Sequence, residues 1–286
     1  MRHSWLWLLC LLVFACSNLK LPQHPQVKET ADVQLRYALQ MEANRDYQGA
    51  EDGFNGALDK YYSFGELKGQ LACLSGLARL ELAAGTSEEN NSALKRMEDL
   101  IGSTALELDY YLLLFKVHKL QLEKDYRGIS QLAVPEKTMP LEESLQLAIA
   151  KIQADSYLHI STPQQAKELL KDSKKLHKQI KQRRTNSLEL LSSAWYALGY
   201  FYHTQKDYAQ ADKYLDKAMD WDYRFGNLSG LGHCLWLKAK NAAAQAKIHE
   251  SKSFYTRAEG IFTSLGETDL LQAIRLEMTV LKGESP

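Results

Sequence analysis

The chain repeats itself at one fixed offset. Shifted by 161 residues, the sequence matches itself without a gap at thirteen positions between Asp46 and Ala78, the last of which pairs with Ala239. Such self-similarity indicates an array of similar structural units, each of which stacks on its neighbours. The sequence therefore predicts a repeat architecture over most of its length.

The composition predicts that these units are helical. The chain has 47 Leu and 29 Ala against 6 Val and 9 Ile, and leucine and alanine favour helices whereas β-branched residues favour strands. Its six prolines leave residues 26–134 and 164–285 without any. Because proline interrupts the interior of a helix, both tracts can hold long helices. We therefore expect an all-α fold.

One copy of the repeat carries a recognisable pattern, formed by Trp195, Leu198, Gly199, Tyr202, Tyr208, Ala211 and Ala218. This pattern resembles that of the tetratricopeptide repeat (TPR) family, in which each unit is a pair of helices. The resemblance implies a right-handed, TPR-like α-solenoid of about six helix pairs, which start near residues 31, 71, 110, 147, 192 and 232. Residues 267–282 form one more amphipathic stretch, which predicts a C-terminal capping helix.

The same spacing predicts details within the pairs. Asp46, Asp125 and Asp207 each precede a tyrosine that opens a second helix, and each can accept a hydrogen bond from a free N–H group there. The glycine at position 199 indicates that two helices cross closely at this point. Prolines at 135 and 140 predict a shortened second helix in the third pair.

The first fifteen residues have the pattern of an export signal. Arg2 gives a positive start, and the apolar run at 5–15 is too short for a bilayer, which needs about 20 residues. The segment Val13-Phe14-Ala15-Cys16 resembles the lipobox of bacterial lipoproteins, which implies a lipid on Cys16. Ser17 after it implies sorting to the outer membrane. Cleavage to a soluble secreted product and retention as an uncleaved anchor are the alternatives.

These features predict the following boundaries: a signal peptide at 1–15, a lipidated tether at 16–28, a TPR-like repeat domain at 29–282 and a tail at 283–286.

The sequence shows no constellation for catalysis, metal or cofactor binding. It contains no H-E-x-x-H, G-x-S-x-G or C-x-x-C motif and no phosphate-binding glycine loop. Cys73 and Cys234 are expected to fill equivalent packing positions in two repeats. The 35 basic and 35 acidic residues balance, which argues against nucleic-acid binding. We expect a protein that is not an enzyme and that uses no cofactor.

In the TPR family the first helices of successive repeats line a concave groove. Carried over position by position, this groove set consists of Tyr196, Tyr200, His203, Trp236, Lys240, Arg79, Lys151 and Asp155. Tyrosine and tryptophan recur at binding hot spots, so the resemblance implies a protein or peptide partner. The alternative is that these aromatic side chains pack between neighbouring repeats.

A separate feature, the lysine face, consists of Lys171, Lys174, Lys175, Lys178 and Lys181. At 100° per residue the five fall within about 120° of a helix circumference, opposite Leu169, Leu176 and Ile180. The solvated side of an amphipathic helix explains this arrangement. A patch for anionic lipid headgroups, a glycan or an acidic protein is the alternative.

Together these features predict an interaction scaffold that is anchored by lipid to the bacterial outer membrane and serves in envelope assembly. A soluble periplasmic or secreted peptide-binding module is the main alternative. An enzyme whose site is assembled from scattered groove residues is a third.

Overall fold

The computed structural model describes residues 25–133, 139–182, 185 and 187–282. Thirteen α-helices lie within these ranges: α1 Pro25–Ala43, α2 Tyr47–Ser63, α3 Leu67–Ala83, α4 Ser92–Gly102, α5 Tyr110–Leu122, α6 Tyr126–Gln131, α7 Leu141–Tyr157, α8 Pro163–Lys181, α9 Leu188–Thr204, α10 Tyr208–Phe225, α11 Leu228–Ala244, α12 Ile248–Ser264 and α13 Thr268–Lys282. They form six successive pairs, from α1 and α2 to α11 and α12, followed by α13. The predicted all-α, TPR-like solenoid with a C-terminal helix is confirmed.

The predicted turns within the pairs are present. Asp46, Asp125 and Asp207 each accept a hydrogen bond from the backbone N–H three residues further on, at 2.8–3.1 Å. The residue before each aspartate adopts a left-handed conformation, with φ between 56° and 61°. The third pair is the least regular, as expected, since α6 has only six residues.

The close crossing expected at Gly199 is also present. A Cβ atom at this position would lie 2.9 Å from the side chain of Leu215 and 3.4 Å from the carbonyl oxygen of Ala211. Both neighbours are fully buried. The absence of a side chain at Gly199 therefore allows the close approach of α9 and α10. This explains the glycine in the repeat pattern.

The first helices of the six pairs form a closed inner ring. Each of α1, α3, α5, α7, α9 and α11 contacts the next one in this order, and α11 contacts α1. The second helices pack around the outside of the ring. The carboxamide of Asn44 joins the two ends, since it donates to the carbonyl oxygen of Gly226 and accepts from the N–H of Leu228, both at 2.9 Å. An ion pair between Arg45 and Glu267 lies beside it.

The core fills the space between the ring and the outer helices. Phe54 on α2 and Phe262 on α12 are fully buried, as is Leu191 on α9. Burying a side chain of this size contributes roughly 1.5–3 kcal/mol. Cys73 and Cys234 are buried, unpaired thiols on the first helices of two pairs, as expected for packing positions.

The termini fall outside the described residues. They include the predicted signal peptide, Cys16 and the tail at 283–286. Helix α1 begins at Pro25, so residues 25–28, which were assigned to the tether, are helical. Among the residues described, no helix combines the length and apolarity that crossing a membrane requires.

Candidate functional site

Five aromatic side chains on α9 and α11 form a strip on the inside of the ring, in two groups whose rings contact one another. This aromatic strip consists of Tyr196, Tyr200, His203, His233 and Trp236. The ring centroids of Tyr196 and His233 lie 6.4 Å apart, and those of His233 and Trp236 lie 6.2 Å apart. Tyr200 and His203 stack at 6.3 Å on the same helix. All five side chains are partly exposed. The structure thus places four of the predicted groove residues on the same two helices as His233.

The capping helix holds one end of the strip in place. Oε2 of Glu277 on α13 accepts from Nε1 of Trp236 at 2.7 Å and from the hydroxyl of Tyr255 at 2.8 Å. The other carboxylate oxygen pairs with Nζ of Lys240 at 3.1 Å, and that ammonium also lies 4.2 Å from the centre of the Trp236 ring. Glu277 therefore fixes the orientation of two predicted groove residues.

Burial controls the protonation of the strip. It lowers the pKa of His233 to about 4, with further lowering by the charges of Arg45 and Lys240. It also lowers the pKa of His203, although the hydrogen bond between Nδ1 of His203 and Oδ1 of Asn241 (2.6 Å) opposes this. Burial raises the pKa of Tyr196. The strip is therefore uncharged at neutral pH, which suits contact with apolar or aromatic partner groups.

A cluster of charged groups lies elsewhere in the ring interior. Arg79 on α3 forms a bidentate ion pair with Glu42 on α1, with N–O distances of 2.8 and 2.6 Å. Burial lowers the pKa of His118 on α5 to about 4, with a further contribution from Arg79. Burial raises the pKa of Glu189 on α9 to about 7, with further raising by Glu42, and Arg79 opposes both. This interior charge cluster thus joins four helices of the ring. It includes the predicted groove residue Arg79, whose guanidinium is already paired with Glu42.

Two further predicted groove residues are engaged with the short helix α6. Nζ of Lys151 donates to the carbonyl oxygens of Ser130 (2.8 Å) and Leu132 (2.6 Å), which lie at the end of that helix. Asp155 is buried and accepts a hydrogen bond from the Ser130 hydroxyl. The structure therefore places Lys151 and Asp155 in contacts that secure α6, apart from the aromatic strip.

The lysine face lies on the outer helix α8. All five of its side chains are exposed, whereas Leu169 and Leu176 on the opposite side are buried. The helix therefore has the orientation that its amphipathic pattern predicts.

Within the ranges that the structure covers, no group of three or more His, Cys, Asp or Glu side chains is arranged to hold a metal ion. The aromatic strip combines aromatic faces, one ammonium group and hydrogen-bonding groups that are held in place by contacts within the chain.

Several residues of the interior were not predicted from the sequence. Glu42, Glu189 and Glu277 are single acidic residues in ordinary helical segments, and their importance arises from partners on other helices. His233 also lies outside the groove set predicted from the sequence. Its position three residues before Trp236, one turn away on the same helix face, was the available signal.

Residues 192–224 match the family model of the tetratricopeptide repeat. They cover most of α9 and α10, the pair that carries the pattern from Trp195 to Ala218. The match supports the TPR family, whose repeats generally bind protein partners and are typically not enzymatic. No curated protein gives a significant match to the chain.

Proposed function

We propose that the protein is a non-enzymatic interaction scaffold that is anchored to a bacterial outer membrane through a lipid on Cys16. Its ring binds a segment of a partner protein along the aromatic strip, and it serves in the assembly of envelope proteins. The observation that carries the binding proposal is the strip itself, because it combines partly exposed aromatic rings with fixed orientations.

Fixed orientations matter for affinity. Ordering a flexible side chain on binding costs roughly 0.5–1.5 kcal/mol. Trp236 donates a hydrogen bond to Glu277, and His203 is hydrogen-bonded to Asn241, so these rings are already held and this cost is reduced. Because the strip faces the inside of the ring, the partner group that fits is an extended or helical segment with apolar or aromatic side chains.

The binding proposal is tested by affinity capture from detergent extracts of the envelope. We expect Tyr196→Ala/Trp236→Ala to reduce the affinity for the partner at least about tenfold, since aromatic hot spots contribute roughly 2 kcal/mol or more. The matched control is Tyr47→Ala/Tyr62→Ala, which removes two exposed tyrosines from α2. Circular dichroism and thermal unfolding establish that both variants fold. An identical set of captured proteins for wild type and Tyr196→Ala/Trp236→Ala would contradict the assignment of the strip.

The anchoring proposal rests on the sequence around Cys16 and has its own test. We expect wild-type protein to incorporate a labelled fatty acid and to fractionate with the outer membrane. Cys16→Ala should lose the label and the membrane association. If processing and location are unchanged in this variant, the anchor is wrong and a soluble periplasmic or secreted peptide-binding module takes its place.

A further inference from the structure

The lysine face is part of a wider basic surface that spans two outer helices. His177 on α8 packs edge-on against Trp221 on α10, with ring centroids 5.3 Å apart. This contact brings Lys213 and Lys217 of α10 alongside the lysine face. Lys213 is exposed, and Lys217 lies with its Nζ 4.7 Å from the centre of the Trp195 ring. We call the lysine face together with Lys213 and Lys217 the basic surface.

The charges of the basic surface are not neutralised locally. None of its seven lysines makes an ion pair with any residue that the structure describes, whereas Lys238 and Arg224 nearby pair with Asp216 and Asp220. The two acidic residues of α8, Glu168 and Asp172, flank the edge of the lysine face away from α10, at about 20° and 60° from Lys175 when counted at 100° per residue. The surface therefore carries an excess of positive charge.

The cationic groups of the two helices lie close enough to repel one another. Burial lowers the pKa of Lys217, with further lowering by Lys213 and by Lys174 of α8. Burial also lowers the pKa of His177, with further lowering by Lys181 and Lys217. An anionic partner would reduce such repulsion.

We propose that the basic surface docks on the anionic headgroups of a phospholipid bilayer and so fixes which side of the ring faces the membrane. Lys171 and Lys181 lie about 15 Å apart along the helix axis at 1.5 Å per residue. The charges are therefore spread along an outer face instead of converging on one point, which matches an extended layer of phosphates better than a single phosphate group.

The residue types favour a bilayer over an acidic protein. Interfaces between proteins are depleted in lysine and enriched in aromatic residues, methionine and arginine. The helix α8 carries lysines but no arginine and no methionine. Lysines near an anionic bilayer each strengthen binding about fivefold, without a requirement for shape complementarity.

Vesicle binding of the full-length protein tests this proposal. The probes are phosphatidylcholine vesicles with and without roughly 30 mol % phosphatidylglycerol, at about 50 and 500 mM salt. The readout is the ratio of the two partition coefficients, so that any hydrophobic attachment through the N-terminal segment contributes equally to both and cancels. We expect wild type to prefer the anionic vesicles and to lose the preference at the higher salt.

The decisive variant is Lys174→Glu/Lys175→Glu/Lys178→Glu, which should lower that ratio at least tenfold. The matched control is Lys95→Glu/Arg96→Glu/Lys116→Glu, which makes the same charge change at exposed positions on α4 and α5 and should retain the wild-type ratio. Circular dichroism establishes that both fold. An unchanged ratio in the first variant, or an equal loss in both, would overturn the proposal.

Two further arms separate the remaining outcomes. If soluble polyglutamate binds wild type and anionic vesicles do not, the occupant is an acidic protein. That result would overturn the proposal that the surface docks on a bilayer. Tyr196→Ala/Trp236→Ala should bind vesicles like wild type, because the aromatic strip lies inside the ring and the basic surface outside it. The docking proposal therefore stands or falls independently of the partner-binding proposal.

Discussion

The side chain of Asn44 donates a hydrogen bond to the carbonyl oxygen of Gly226 at 2.9 Å, although 182 positions separate the two residues along the chain. The same carboxamide accepts from the N–H of Leu228. One side chain thus satisfies two backbone groups of the turn between α10 and α11 and closes the ring.

Asn44→Ala should lower the free energy of unfolding by about 1–2 kcal/mol, because two backbone groups lose their partner, one of them at a partly buried contact. Urea denaturation measures this loss. Asn90→Ala is the matched control, since Asn90 is exposed and its Nδ2 donates only to the hydroxyl of Ser87. Equal effects of the two substitutions would show that the Asn44 contact does not contribute to ring closure.

Arg45→Ala should be destabilising at neutral pH, by about 1–2 kcal/mol, because it leaves Glu267 ionised at a position only 6 % exposed. Burial raises the pKa of Glu267, and Arg45 opposes that rise. Without Arg45 the folded-state pKa rises further, so the loss should be present above that pKa and should disappear at acidic pH, where Glu267 is protonated. Unfolding measured between pH 4 and pH 8 tests this, and Glu267→Gln in the Arg45→Ala background should restore part of the stability.

Glu189→Gln should stabilise the protein at pH 8 and have little effect near pH 4. The pKa of Glu189 is raised from 4.5 to about 7 in the folded state, by burial and then by Glu42. Between these values the folded state binds more protons than the unfolded state, so stability falls as pH rises. The expected gain at pH 8 is on the order of 1–2 kcal/mol. Thermal unfolding at the two pH values measures it, and equal stabilisation at both would show that ionisation is not the cause.

Gly199→Ala and Gly260→Ala should change stability in opposite directions. A methyl group at Gly199 would press on Leu215 at 2.9 Å and should cost about 1–3 kcal/mol. At Gly260, within α12, a methyl group meets nothing within 4 Å and should add about 0.5–1 kcal/mol through helix propensity. Chemical denaturation of the two variants is the measurement. A stabilised Gly199→Ala protein would contradict the close crossing of α9 and α10.

The helix pairs and their turns were predictable because their signals are local. Asp207 lies three residues before the N–H group that it caps, and the small residue Gly199 precedes its neighbour Leu215 by only sixteen positions. Short spacings of this kind can be read directly from the repeat pattern in the sequence. The boundaries of the third pair were also foreseeable, since two prolines follow α6.

The interior of the ring was less predictable, because its contacts join distant parts of the chain. Nothing near Asn44 in the sequence indicates Gly226 as its partner. The rule that assigns groove positions also presumes regular repeats. In the irregular third pair, α6 ends early and leaves the carbonyl oxygen of Leu132 free of helical hydrogen bonds. This oxygen accepts a hydrogen bond from the ammonium of Lys151.

An array of stacked repeats ordinarily unravels from its two free ends, since each unit is held only by its neighbours. Here the N-terminal pair is pinned to the turns on either side of the sixth pair through Asn44 and Arg45. Fraying of the first pair therefore has to break contacts with the C-terminal repeats as well. The consequence is cooperativity between the two halves, so that helices α1 and α11 should share one hydrogen-exchange protection level instead of a gradient from end to middle.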